Sequence, residues 1–132
     1  MNTKRQLIAF LLCCFAAVLP CHAQNSIDEL VEDFSTLGSA KFTSVVDRDP
    51  KTRRVLKVVK ELQLHGVQAG KFKKAFEDES RNGSTTRQQD GDVLTMTVTQ
   101  ESPRQLRIYM LRLVGRHTYH SAKVIIIVKM KT

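Results

Sequence analysis

Two histidines, a run of arginines and lysines, and two pairs of aspartates are the side chains of this sequence whose types and spacing could do chemistry. In "GRHTYHSAK", residues 115–123, His117 and His120 stand three apart and could share one metal ion, with Arg116 and Tyr119 beside them to take an anion. A zinc site needs a third protein ligand, and His65 belongs to a separate turn. The segment therefore reads as a solvent-facing hairpin loop, with His117 and His120 as weak metal candidates. Asp47 and Asp49 flank Arg48, and Asp90 and Asp92 flank Gly91. Paired carboxylates can act as acid and base or hold calcium, but calcium needs further oxygen ligands at set spacing, so both stretches read as turn chemistry. Gly-x-Ser-x-Gly, a phosphate loop and a dinucleotide fingerprint are all missing from the sequence. The expectation is a protein that is not an enzyme and takes no cofactor, and a hydrolytic or metal-dependent activity rests on the histidines and acids alone.

The basic residues are the stronger signal. The chain has 21 Lys and Arg against 13 Asp and Glu, a formal net charge of +8. After Glu101 no acid follows, while Arg104, Arg107, Arg112, Arg116, Lys123, Lys129 and Lys131 do. If the C-terminal segments are strands, alternation puts Arg107, Tyr109, Lys123, Lys129 and Lys131 on one polar sheet face, a positive field with an aromatic in it. Such a face suits an anionic glycan, a lipid headgroup or an acidic protein. Nucleic acid fits by charge only, since no recognition motif for it is present. Ile125 and Ile127 share that face, which requires either a central strand covered on both sides or burial in a partner or a second copy.

The elements that must position these residues begin behind an N-terminal leader. Lys4 and Arg5 precede the uncharged "QLIAFLLCCFAAVL", which is followed by Pro20 and the small pair Cys21-x-Ala23. A charged region, an apolar run and a cleavage site in that order predict a secretory signal over 1–23, cut after Ala23. The run is shorter than the roughly 20 residues that span a bilayer, and no later stretch is a candidate transmembrane segment. Lipidation of Cys21 is the rival reading, and Pro20 sits where a small residue belongs. Cleavage after Ala23 removes Cys13, Cys14 and Cys21, so no disulfide, thiol nucleophile or thiolate metal site remains. Residues 24–132 then form one exported domain, in the periplasm or on the outer surface of a Gram-negative bacterium.

In "SIDELVEDFSTLG", Ile27, Leu30, Val31, Phe34 and Leu37 fall at helical spacing, Ser26 and Glu29 make a capping box, and Gly38 can end the helix. Its acids form a solvated face. Valine content and the "DPKT" turn predict a hairpin of 41–48 with 54–64, in which Lys60 interrupts an otherwise apolar face; a helix over 54–64 is the alternative. "VQAGKFKKAFEDES" gathers Phe72, Ala75 and Phe76 on one helical face, and "RNGSTTRQQDGD" reads as a polar loop. Three strands follow: "DVLTMTVTQ"; "QLRIYMLRLV", with Leu106, Ile108 and Met110 as its apolar face; and "KVIIIVKMK", with Val124, Ile126, Val128 and Met130. The expected fold is α+β, an antiparallel sheet of about five strands with two amphipathic helices packed on one face, in the order α-β-β-α-β-β-β.

The signal ending "HAQN", the helix "IDELVEDFSTLGSAKF", the block "VVDRDPKTRRVLKVVKELQL" and "GKFKKAFEDES" together resemble small exported proteins of uncharacterised function from Bacteroides and relatives. The resemblance covers residues 24 to 81 and carries no catalytic residue with it. What it implies is a periplasmic or outer-surface setting. The sequence thus leads first to a non-enzymatic exported binding or interaction module, and second to a self-associating structural protein of the cell envelope.

Overall fold

The computed structural model describes residues 25–38 and 40–131; the expected signal segment 1–23, Cys21 included, lies outside them. Helix α1 (Ser26–Ser35) leads into a hairpin of β1 (Ala40–Arg48) and β2 (Val55–His65), followed by α2 (Lys71–Glu79) and four further strands. These are β3 (Ser84–Asp90), β4 (Val93–Glu101), β5 (Gln105–Val114) and β6 (Ser121–Met130). All pairings are antiparallel and the sheet order is β1-β2-β6-β5-β4-β3. The sheet thus has six strands, not about five, and the element order is α-β-β-α-β-β-β-β. The additional strand, β3, occupies the segment expected to be a polar loop. Every residue of β3 is exposed, so burial imposes no apolar alternation on it, and the strand forms because its backbone completes the edge of β4.

Both helices pack on one face of the sheet. Cross-strand register makes that face a set of rows: Leu64, Ala122, Leu113 and Leu94 in one, then Leu62, Val124, Leu111 and Met96. All of these are buried, and Ile27, Val31 and Phe34 of α1 with Phe72, Ala75 and Phe76 of α2 close over them. The Phe34 and Phe72 rings, 5.6 Å between centroids, join the two helices. On β5 the covered face is Arg107, Tyr109, Leu111 and Leu113, the opposite of the expected one. Both faces of that strand carry apolar residues, and pairing with Val124 and Ile126 of β6 selects the odd-numbered one.

Local capping also differs by one residue. Asn25, not Ser26, caps α1: its side chain accepts from the Ile27 and Asp28 N–H groups, and Asp28 accepts from the Asn25 N–H at 3.1 Å. The Ser26 N–H is free to donate instead to the Glu79 carboxylate at 3.0 Å, which ties the start of α1 to the end of α2. The helix ends at Ser35, before Leu37 and Gly38, and Leu37 stays exposed. In the β1–β2 turn, Asp49 accepts from the N–H groups of Lys51 and Thr52, and Arg53 takes a left-handed conformation with φ of 64°.

Candidate functional site

The residues expected to share one polar face lie on opposite sides of the sheet. Arg107 and Tyr109 point under α1, where the Tyr109 side chain is fully buried. Lys123 and Lys129 project from the other, open face, and Lys131 follows β6 on the same alternation. The reason is the register of β5, in which Tyr109 sits opposite Ile126 in the core row.

Beneath α1 these groups form a compact polar cluster. The Tyr109 hydroxyl donates to Asp28 Oδ2 at 2.9 Å, and Arg107 Nη1 donates to the same oxygen at 3.1 Å and to the Tyr109 oxygen at 3.0 Å. The Arg107 and Asp28 side chains are 14% and 10% exposed, so this ion pair is largely shielded from water. Burial, then the neighbouring Asp28 charge, push the Tyr109 hydroxyl well above its ordinary range, and it remains a donor. Arg107 Nε is buried and finds no acceptor among the described residues. Beside the cluster a cleft of about 400 Å³ opens between α1 and the β1–β2–β6 part of the sheet. Val31, Phe42, Ile126 and Val128 form its apolar walls, while Asp28, Glu32, Ser35, Ser44, Lys60 and Arg107 bring polar groups to it.

A second polar cluster joins the helix ends. Glu79, 7% exposed, accepts from the Ser26 N–H at 3.0 Å, Gln100 Nε2 at 3.2 Å and Asn82 Nδ2 at 3.4 Å. Burial pushes its carboxyl up, but these donors outweigh burial and hold it below its ordinary value. Its partners mark it as a structural clasp.

The open face has its own register rows. Val45, Val59, Ile127 and Ile108 form one continuous apolar row across β1, β2, β6 and β5, with Ile125 and Met110 in the next. Basic residues border this band on both sides. Lys57 stands directly opposite Lys129, and Arg112 directly opposite Lys123. Like charges placed opposite one another on adjacent strands are unfavourable unless a counter-charge relieves them. Glu61 relieves Lys123 at 3.4 Å; Asp47 stands opposite Lys57 on its other side, though among the described residues neither Lys57 nor Lys129 has a carboxylate within 4.0 Å.

The sequence model of a domain of unknown function, DUF5024, matches residues 24–98, more than half of the chain. The chain belongs to the DUF5024 family. No curated protein and no solved structure matches it. The DUF5024 stretch spans α1 to most of β4, and so includes Asp28, Lys60 and Glu79; Arg107, Tyr109, Lys123, Lys129 and Lys131 lie beyond it.

His117 and His120 occupy the exposed loop between β5 and β6. The turn after β2 lies against this loop through the Gly66 N–H, which donates to the His120 carbonyl at 2.7 Å, so His65 comes nearer to it than its place in the sequence suggests. Among the described residues no three His, Cys, Asp or Glu side chains gather into a group able to hold a metal ion. Arg116 pairs with Asp92 at 3.5 Å, and Tyr119 packs against the core with Lys73 Nζ 5.9 Å from its ring centroid. Among the described residues no helix is long and apolar enough to cross a membrane.

Sequence reasoning missed Asp28, which it assigned to a solvated face, and the burial of Glu79. Lys60 did leave a signal: it interrupts the inward run Val58, Leu62 and Leu64, and it lines the cleft.

Proposed function

We propose that this DUF5024 protein is an exported, non-enzymatic binding module whose open sheet face docks an acidic protein partner. The observation that carries the reading is the apolar row of Val45, Val59, Ile127 and Ile108, bordered by the Lys57–Lys129 pair on one side and Arg112–Lys123 on the other. Six strands of about nine residues make a face of roughly 25 Å by 30 Å, on the order of 800 Å². One side of a standard protein interface buries about that area. Asp47, Glu61 and Glu101 are interspersed among the cations on this face. A uniformly anionic bilayer would repel those acids, whereas a protein surface can match both signs. Two copies laid face to face would set basic rows against basic rows, which disfavours self-association through this surface. Export rests on the N-terminal pattern of charge, apolar run and small residues.

Photo-crosslinking from positions 59 and 127 in the cells that make the protein tests the reading. The expected result is an adduct with a distinct acidic protein that disappears when Lys57→Glu and Lys129→Glu are combined. An adduct of twice the chain's own mass, or no adduct at either position while one forms at Val67 on the far side of the β2 turn, would overturn it.

A further inference from the structure

Among the polar side chains on the covered face of the sheet, Ser44, Lys60 and Arg107 all line the cleft beneath α1. Across from them α1 brings Asp28, Glu32 and Ser35, which share a helix face by their spacing of four and then three residues. Lys60 is half-buried and brings its charge to the cleft. Other polar residues of the covered face are elsewhere, Gln100 on Glu79 and Arg87 on Glu77, whereas Ser44, Lys60 and Arg107 meet at one opening.

The charges of that site decide what fits. Lys60 and Arg107 are balanced by Asp28 and Glu32, so the lining carries no net charge. A simple anion entering it would meet two carboxylates, and a simple cation would meet an ammonium and a guanidinium. A ligand with both signs a few ångströms apart meets an opposite charge at each end. The walls of Val31, Phe42 and Val128 would take an apolar substituent, and a volume of about 400 Å³ is at the small end for ligand pockets.

We propose that this cleft binds a small zwitterion of the α-amino-acid or dipeptide class, its ammonium toward Asp28 and Glu32, its carboxylate toward Lys60 and Arg107, and its side chain on the apolar wall. The cleft is on the opposite side of the sheet from the docking face, and the two proposals stand separately.

Calorimetric titration of the purified protein with leucine, phenylalanine and leucyl-leucine tests this, with N-acetyl-leucine and leucine amide as probes lacking one charge each. The expected result is binding of at least one zwitterion, weakened about tenfold or more by removal of either ligand charge, a change of roughly 1.4 kcal/mol. Lys60→Met and, separately, Ser44→Leu should weaken it by at least as much, and Ser44→Leu keeps the test open if Lys60→Met does not fold. Absence of binding by all three zwitterions, equal binding of the acetylated or amidated probes, or binding unaffected by these substitutions would each overturn the proposal.

Discussion

The Tyr109 hydroxyl, on the fifth strand, donates a 2.9 Å hydrogen bond to Asp28 Oδ2 in the first turn of the first helix. The same oxygen accepts from Arg107 and from the Asn25 N–H, so one carboxylate joins the helix cap to the covered face of the sheet. Removing the hydroxyl leaves the ion pair in place, and Tyr109→Phe should cost about 1 kcal/mol in urea unfolding. Asp28→Ala strands the shielded Arg107 and removes half of the capping box, and should cost about 3 kcal/mol or more. Tyr109 should stay protonated until the protein unfolds, so alkaline titration followed by phenolate absorbance should show a late component that Tyr109→Phe eliminates.

Glu79 sets an acid limit on the clasp between the helices. Its carboxyl is held below its ordinary glutamate value in the folded state, so its contribution is present above that value and is lost as pH falls through the lower, folded one. Glu79→Gln should therefore cost about 2 kcal/mol at neutral pH. The gap between variant and parent should narrow below about pH 4.5, and a gap constant down to pH 3 would contradict the assignment.

The two faces of β6 should respond differently to the same truncation. Ile126 is 1% exposed and lies in the core row, so Ile126→Ala should cost about 3 kcal/mol. Ile127 is adjacent in sequence but belongs to the open face, and Ile127→Ala should cost less than half as much. Chemical denaturation of the pair measures the difference directly.

On the open face, the Lys57–Lys129 opposition makes a prediction of unusual sign. Lys129→Glu should stabilise the isolated domain by about 0.5 kcal/mol at low salt. The gain should fade at molar salt, where screening shortens to about 3 Å. The same change should weaken partner docking, which would separate a surface kept for binding from one kept for stability.

Gly115 has no room for a side chain. Its φ is 157°, and a Cβ there would lie 2.1 Å from the Thr118 carbonyl oxygen and 2.7 Å from Tyr119 Cα. Gly115→Ala should cost about 2 kcal/mol by opening the β5–β6 loop, measurable as a lowered urea midpoint with the strands otherwise retained.

Sequence by itself determined the types and approximate extents of the elements whose faces are unambiguous. Ile27, Val31 and Phe34 repeat at helical spacing, Val124, Ile126 and Val128 alternate cleanly, and Asp49 with Pro50 makes a turn, because these signals arise within a few neighbouring residues. Tertiary structure decided the rest. The β3 edge strand has no buried face and exists through backbone pairing with β4, which leaves no apolar pattern to read. The orientation of β5 is ambiguous from alternation because Leu106, Ile108 and Met110 compete with Leu111 and Leu113; register with β6, and an acceptor for Arg107 and Tyr109 on a helix some eighty residues earlier, chose between them. That choice separated Arg107 and Tyr109 from Lys123, Lys129 and Lys131, and divided one expected basic surface into a shielded cleft and an open face. A one-residue shift exchanges the two sides of a strand, and only contacts distant in sequence select between them.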